Sequence, residues 1–256
     1  MNILMQAAND IKANRSFALC TVISTAGSTP RSASARMIVY ESGTIFGTIG
    51  GGTIEFEVIK AAGESISSGK PSLYAANLGR DLGMCCGGEM KVFIEPFAKR
   101  AVVHIFGAGH VSKSLAQFLS QLDFETRVYD EREELLTVDN FPNSNIVLGD
   151  PVESISSIAN QLTSNDAVVI ITHLHDLDFS ILSKSLDLDW GYLGLIGSKT
   201  KIKRFELRLK SDQTVDLGRW SEASAPIGLD IGSQTPAEIG VSISAELIAW
   251  RSGASE

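Results

Sequence analysis

The stretch from residue 101 to residue 130 constrains the fold most, because it has the pattern of a complete strand, turn, helix and strand. Its first six residues are almost all apolar, as in a parallel strand that is buried on both faces. Gly107 and Gly109 then allow a sharp turn and a close approach of the backbone to a ligand. The following helix, which starts near His110, presents unpaired N–H groups and a partial positive charge, so the turn is predicted to bind an anion.

Asp130 ends the second strand of this stretch and gives it the spacing of a dinucleotide-binding unit. It lies 21 residues after Gly109, where such units place a carboxylate that accepts hydrogen bonds from a ribose diol. The third small residue of the glycine fingerprint is Ser112 instead of glycine or alanine, so the motif is incomplete. The pattern therefore predicts a Rossmann-like unit and leaves the identity of its ligand open.

Three further apolar strands, at 145–148, 167–172 and 192–196, predict that this unit is a parallel sheet with helices on both faces. Ligands of open parallel sheets lie at the carboxyl ends of the strands. His173, His175 and Asp178 follow the most apolar strand and are therefore candidate ligand contacts, with both histidines pointing the same way if the backbone stays extended. The alternative is that Asp176 or Asp178 caps a helix and the histidines are solvated.

Ser198 and Lys199 are predicted to contact phosphate, because they open a basic helix directly after the last of these strands. The segment 211–232 is expected to be irregular, and a capping box at Thr235 to Glu238 predicts the start of a final helix.

Residues 1–98 are predicted to form a smaller α+β domain, followed by the Rossmann-like domain at 99–256. The first part carries 8 Lys and Arg against 8 Asp and Glu, whereas the second carries 14 against 22. This shift in charge falls beside Pro96 and the pair Lys99-Arg100, which supports a domain boundary there. The predicted elements of the first part are helices at 2–13 and 53–68 and strands at 17–24, 37–40, 45–49, 72–78 and 89–95.

Two glycine-rich loops of the first part carry its candidate site. Gly50, Gly51 and Gly52 precede a helix with Glu55 in its first turn. This loop either receives an anion or a flat ligand, or is only a tight connection in which Glu55 favours the helix dipole. The second loop is Cys85-Cys86-Gly87-Gly88, whose amides would favour a thiolate. Such thiols could bind a soft metal, carry sulfur or be inert, and the lack of a CxxC motif argues against structural zinc.

Composition excludes several classes of function. A net charge of −8 argues against a nucleic-acid partner, which needs a positive surface. No apolar run approaches the roughly 20 residues that span a bilayer. The N-terminal residues lack the pattern of a secretion signal and there are 3 cysteines, so a cytoplasmic location is expected. Cys20, inside an apolar strand, is expected to be a core residue.

Taken together, the motifs resemble the XdhC/CoxI family of xanthine dehydrogenase accessory factors along the whole chain. They are GSTPR at 27–31, GTIGGGTIE at 47–55, LGMCCGGEM at 82–90, IFGAGHVSKSLA at 105–116, VYDER at 128–132, THLHDLD at 172–178, YLGLIGSKTK at 192–201 and APIGLDIGSQTPAEIGVSI at 225–243. The resemblance implies a non-catalytic, homodimeric chaperone that binds the molybdenum cofactor in its molybdopterin form. It also implies that a cysteine desulfurase supplies the sulfur and that xanthine dehydrogenase receives the cofactor.

The resemblance also implies roles for individual residues. Cys86, which matches the family's CGG, and Cys85 are the candidates for contact with molybdenum or its sulfur. Thr53 stands where the CoxI branch has a cysteine, so the first glycine loop would act through Gly51, Gly52 and Glu55. Gly107, Gly109, His110 and Asp130 would hold either a pterin nucleotide or NAD(P). The rival hypothesis is an NAD(P)-dependent oxidoreductase with a thiol-lined pocket, and a scaffold joining desulfurase to hydroxylase is a third.

Overall fold

The computed structural model describes residues 2–83, 87–211 and 217–253. The chain divides into two compact units, Met1–Lys99 and Arg100–Glu256. Among the described residues, no helix combines the length and the apolar character that crossing a membrane requires.

The first unit is built on one antiparallel sheet with the strand order β3-β2-β1-β5-β4. Helix α2 covers one face of this sheet and packs Ile54, Val58 and Ala62 into its core, while α1 covers part of the other face near Phe17 and Ile38. The elements are α1 (Ile3–Lys12), β1 (Phe17–Ala26), β2 (Arg36–Tyr40), β3 (Ile45–Gly47), α2 (Gly52–Ser68), β4 (Ser72–Asn77) and β5 (Glu89–Phe97).

Cys20 lies in the core of the first unit, as its apolar strand predicts. Its side chain is fully buried beside Ile54, Val58 and Ile94 in the cluster between the sheet and α2. Burial raises the pKa of this thiol to about 12. Cys20 is therefore protonated at neutral pH and serves as a small core residue.

The second unit is a five-stranded parallel sheet with the order β10-β9-β6-β7-β8, which confirms the predicted Rossmann-like fold. Helices α3 and α8 cover one face, and α4, α5 and α6 cover the other. The elements are β6 (Ala101–Phe106), α3 (His110–Leu119), β7 (Phe124–Asp130), β8 (Asn145–Leu148), α4 (Pro151–Ile158), β9 (Ala167–Ile170), α5 (His175–Ser185), β10 (Tyr192–Leu195), α6 (Lys199–Ser211), α7 (Leu217–Glu222) and α8 (Pro236–Ser252).

The strand order places the switch point of this sheet between β6 and β9. The chain runs from β6 outward to β7 and β8, and then returns to the other side of β6 for β9 and β10. Ligands of such sheets lie outside the carboxyl ends of the strands at this point. We call the space outside the carboxyl ends of β9, β6 and β7 the crevice.

The expectation that residues 211–232 are irregular is wrong for Leu217–Glu222, which form α7. None of the residues of α7 is fully buried, so it has no apolar stripe from which a helix could be predicted. A tertiary contact holds it instead. The Arg219 guanidinium lies 3.7 Å from the centre of the Trp190 ring and donates to the carbonyl oxygens of Leu188 and Trp190.

His104 is a buried polar residue within the central strand of the second unit. Its Nδ1 lies 2.8 Å from the hydroxyl of Tyr129 on the neighbouring strand. Burial, with a smaller contribution from the positive charge of Arg127, lowers the pKa of His104 from 6.5 to about 4. The imidazole is therefore neutral in the folded chain at any pH well above 4.

This shift predicts a stability change in acid. The unfolded chain binds a proton at His104 below pH 6.5, whereas the folded chain does so only near pH 4. The free energy of unfolding should therefore fall as pH drops through this window, by up to about 3 kcal/mol from this residue. Urea unfolding followed by tryptophan fluorescence reports on the second unit, which holds all 3 tryptophans. His104→Gln should weaken the pH dependence, and an unchanged slope would contradict the assignment.

Candidate functional site

Three sequence-distant loops of the first unit meet through close contacts of the main chain and of the Pro30 ring. Gly88 N donates to Ser28 O at 3.1 Å, and a Cβ added to Gly88 would lie 2.4 Å from the same oxygen. A Cβ added to Gly50, whose φ is +134°, would lie 2.7 Å from Pro30. The loop 27–31 thus contacts both the first glycine loop and Gly87-Gly88. We call these three segments, 27–31, 50–52 and 87–88, the loop cluster.

Glu55 occupies the amides of the first glycine loop. Its Oε2 accepts hydrogen bonds from Thr48 Oγ1 at 2.5 Å, from Ile49 N at 3.1 Å and from Gly51 N at 3.2 Å. These amides already have an anionic partner within the chain, so an external anion would have to displace Glu55 from them. The geometry favours the structural role for Glu55, in which it fixes the turn before α2.

The other residues of this loop remain open to a ligand. A Cβ added to Gly51, the N-cap of α2, would meet no atom within 4 Å. Gly52 and Thr53 are exposed at the start of α2. Cys85 and Cys86 lie outside the described residues, and they directly precede Gly87 in the sequence.

Gly107 and Gly109 have different roles in the turn of the second unit. A Cβ added to Gly107, whose φ is +115°, would lie 2.4 Å from the carbonyl oxygen of Ile171. This glycine therefore allows the ends of β6 and β9 to approach each other. A Cβ added to Gly109 would meet nothing within 4 Å, and Gly109 is the N-cap of α3. The space that an anion would need is thus open at Gly109, beside His110, the first residue of α3.

The carboxylate of Asp130 is fully engaged within the chain. Its Oδ1 accepts from Arg132 N at 2.9 Å and from Arg132 Nε at 2.8 Å, and its Oδ2 accepts from Ala108 N at 2.7 Å and from Arg132 Nη2 at 2.7 Å. Burial alone would raise the pKa of Asp130, but these hydrogen bonds hold it below the usual value. Asp130 is therefore an anion that ties the turn at Ala108 to Arg132. A ribose diol would therefore have to displace these hydrogen bonds, and the predicted contact of Asp130 with a ligand stays a prediction.

His173 and His175 follow β9, as predicted, but the backbone does not stay extended between them. His175 is the first residue of α5, and both side chains are exposed. The prediction that both histidines point the same way depended on an extended backbone, and this condition is not met. The alternative that Asp176 or Asp178 caps the helix is also wrong, because the N-cap is Leu174. A ligand contact of these histidines stays a prediction.

Asp178 points into the protein and joins the ends of two strands. Its Oδ1 accepts from the backbone N–H and the hydroxyl of Thr172, at 3.0 and 2.7 Å. Its Oδ2 lies 2.5 Å from Nζ of Lys201, which also donates to Ile196 O at 2.7 Å. Asp178 and Lys201 are both buried, so the pair fixes the carboxyl ends of β9 and β10. The sequence alone did not single out Lys201, because α6 carries several other basic residues and most of these are exposed.

Ser198 and Lys199 lie at the start of α6, as predicted. The Ser198 hydroxyl accepts from Lys201 N at 3.3 Å and so satisfies a donor of the first helical turn. Lys199 is exposed next to a basic surface that includes Lys203 and Arg204. Phosphate binding at these two residues stays a prediction. Among the residues that the structure describes, no group of three or more His, Cys, Asp or Glu side chains is placed to hold a metal ion.

The two glycines of the turn provide a matched test. Gly107→Ala should lower the free energy of unfolding by about 2 to 5 kcal/mol, because it combines backbone strain with a clash against Ile171 O. Gly109→Ala should cost about 1 kcal/mol or less, since its φ of −75° suits alanine and the space is open. Urea unfolding monitored by tryptophan fluorescence measures both, and equal costs would contradict the geometry.

Comparison with known proteins is consistent with this architecture. Residues 103–247 match the family described as the XdhC Rossmann domain, and residues 10–75 match the XdhC and CoxI family. A crystal structure of a xanthine dehydrogenase from Bacillus halodurans has a TM-score of 0.53 and 21% identity, and covers 100% of this chain and 97% of that one. This likeness shows the fold alone.

Two curated relatives are longer than this chain. The uncharacterized protein YqeB of Escherichia coli (strain K12) is 33% identical over 258 residues, which cover 99% of this chain and 47% of YqeB. A probable xanthine dehydrogenase subunit of Bacillus subtilis (strain 168) is 30% identical over 161 residues, which cover 62% of this chain and 46% of that protein. The chain spans about half the length of the curated relatives it matches. On the two family matches, this chain belongs to the XdhC and CoxI family.

Proposed function

We propose that this chain is an accessory protein of xanthine dehydrogenase that binds the molybdenum cofactor, supports its sulfuration and delivers it. The observation that carries the proposal is the loop cluster. It brings segments 27–31, 50–52 and 87–88 together in one unit, and the Cys85-Cys86 pair directly precedes one of them in the sequence. A cysteine desulfurase is the proposed sulfur donor and xanthine dehydrogenase the proposed recipient.

The chemistry of the cluster suits such a cargo. Thiolates are soft ligands and good sulfur nucleophiles, which fits a role for Cys86 or Cys85 next to molybdenum or its terminal sulfur. A Cβ added to Gly51 or Gly87 would meet no atom within 4 Å, so these two glycines present open main chain, which suits a flat pterin ring. Thus the cluster supplies exposed main chain in a segment that Cys85 and Cys86 directly precede in the sequence.

Arg31 adds a positive charge to the cluster. It is exposed, and its Cγ lies 3.5 Å from the position that a Cβ of Gly50 would take. Its guanidinium takes part in none of the ion pairs found among the described residues. Guanidinium groups bind phosphate with paired hydrogen bonds. Arg31 is therefore the proposed partner for the phosphate of the pterin.

The alternative of an NAD(P)-dependent oxidoreductase has weaker support. A nucleotide with a free ribose diol would need acceptors on Asp130, and those are occupied by Arg132 and Ala108. The carrier proposal requires no such contact, since the thiols and Arg31 on which it depends belong to the first unit.

Replacement of the thiol tests the proposal directly. Cys86→Ser should fold normally but fail to activate xanthine dehydrogenase when both are produced in one cell, because the hydroxyl is a poor ligand and sulfur carrier. Enzyme activity and the sulfurated cofactor content of the purified dehydrogenase are the measurements. Cys20→Ala, at a buried core thiol, is the control and should retain activation. Full activation by Cys86→Ser would remove the thiol from the function.

Arg31→Ala should bind the cargo roughly tenfold more weakly, since it removes a charge-assisted contact to phosphate. The amount of molybdopterin that copurifies with the chain, oxidised and measured by fluorescence, gives the readout. Lys60→Ala removes one positive charge from an exposed position of α2 in the same unit and should leave the amount unchanged. Equal loss in both variants would indicate a non-specific effect of charge.

A further inference from the structure

Arg132 stands where a ligand of a dinucleotide-binding unit would otherwise meet Asp130. We propose that the crevice of the second unit selects ligands that carry a phosphate monoester and rejects ligands that offer a free ribose diol. In this arrangement Arg132 closes the acceptors of Asp130 and presents its own guanidinium in their place. The inference concerns the second unit and goes beyond the proposed carrier function, which depends on the loop cluster of the first.

The acceptors of Asp130 are used up. A carboxylate offers about four acceptor positions, and Asp130 receives four hydrogen bonds, three from Arg132 and one from Ala108. The residue is only 2% exposed. A ribose diol could bind there only by displacing a bidentate, charge-assisted pair and leaving Arg132 without its counter-ion. Two neutral hydroxyl contacts are too weak to compensate for that loss.

Arg132 keeps donors for an anion. A guanidinium has five N–H groups, and the described structure uses one on Nε and one on Nη2 for Asp130. The three others donate to no other described residue, and the side chain is 26% exposed. The hydrogen bond to Asp130 raises the pKa of Arg132, so the group stays charged. Asp130 thus holds the guanidinium in a fixed orientation, as a phosphate-binding arginine requires.

The turn beside this pair has two further features that fit an anion. The hydroxyl of Ser112, in the first turn of α3, is fully buried and has no hydrogen-bond partner among the described residues. An unsatisfied buried hydroxyl costs free energy, so the start of α3 holds a polar group that the described chain leaves unpaired. The space at Gly109 is open, and Ala108 N links this turn directly to Asp130. Arg132 is linked to this turn through Asp130, which also accepts from Ala108 N. Gly109 and Ser112 follow Ala108 in the chain.

The same phosphate chemistry occurs in two kinds of ligand, which binding measurements can separate. One is a nucleotide with a 2′-phosphate, for which the probes are NADPH against NADH and adenosine 2′-monophosphate against adenosine. The other is a pterin with a phosphate on its side chain, for which the probes are dihydroneopterin monophosphate against dihydroneopterin. Calorimetry is done on the full chain carrying Arg31→Ala, which removes the phosphate contact proposed for the first unit. The phosphorylated member of at least one pair should still bind roughly tenfold or more tightly.

Two variants test the part played by Arg132. In the same Arg31→Ala background, Arg132→Ala should abolish that preference and, by freeing Asp130, should raise the affinity for NADH above that of the Arg31→Ala chain. Arg132→Lys keeps the charge without the planar fork and should lose most of the preference while preserving the ion pair, which covers the case that the alanine variant does not fold. Arg80→Ala, which removes an exposed arginine paired with Asp81 in the first unit, should change neither affinity.

Several results would overturn the inference. The first is equal binding of both members in every pair, and the second is no binding of any phosphorylated probe. The third is an unchanged preference in both Arg132 variants. Activation of xanthine dehydrogenase by the unaltered chain is measured separately. Activation without a phosphate preference would refute only this inference, whereas a phosphate preference without activation would refute only the proposed function.

Discussion

Close contact between main-chain segments is the constraint on which both candidate sites depend. In the first unit, Gly88 packs against the carbonyl oxygen of Ser28, and in the second, Gly107 packs against that of Ile171. A Cβ at either position would lie 2.4 Å from the oxygen, well inside van der Waals contact. The glycines therefore bring loops together at sheet ends where side chains would separate them. The neighbouring Gly51 and Gly109 leave open space at helix N-termini, which suits flat or anionic ligands.

Buried and half-buried carboxylates fix these loops once the main chain has brought them together. Glu55 holds the turn before α2, Asp130 holds the turn before α3, and Asp178 with Lys201 joins the ends of β9 and β10. Glu246 of α8 similarly accepts from Gly228 N, from the hydroxyl of Tyr192 and from that of Ser224. Each carboxylate satisfies donors that would otherwise be buried without partners. The same bonds make Glu55 and Asp130 less available to a ligand than the sequence suggested.

The hydrogen bonds of Glu55 and Asp130 give the two units different proposed roles. In the first unit the thiols precede a loop cluster whose amides are partly satisfied by Glu55, so chemistry there would depend on sulfur and on Arg31. In the second unit the charge available at the crevice is that of Arg132, oriented by Asp130. Membership of the XdhC and CoxI family is therefore compatible with the proposed thiol site on the first unit and the proposed anion site on the second.

Local patterns in the sequence were enough to predict the parallel sheet, the antiparallel unit and most element positions. Apolar runs such as 102–106 and 167–170 and the glycine turn at 107–109 carry their signal without tertiary information. The loops at 50–52 and 87–88 were also identified in this way, because consecutive glycines are unusual. The hydrogen bonds and ion pairs of the charged residues could be identified only in the folded chain. Arg132 follows Asp130 by two positions, but the turn after β7, in which Arg132 N donates to Asp130 Oδ1, is what brings its guanidinium back to that carboxylate. Likewise α7 and the Asp178–Lys201 pair arise from contacts between residues distant in sequence, whose energies depend on burial and orientation that a linear pattern does not contain.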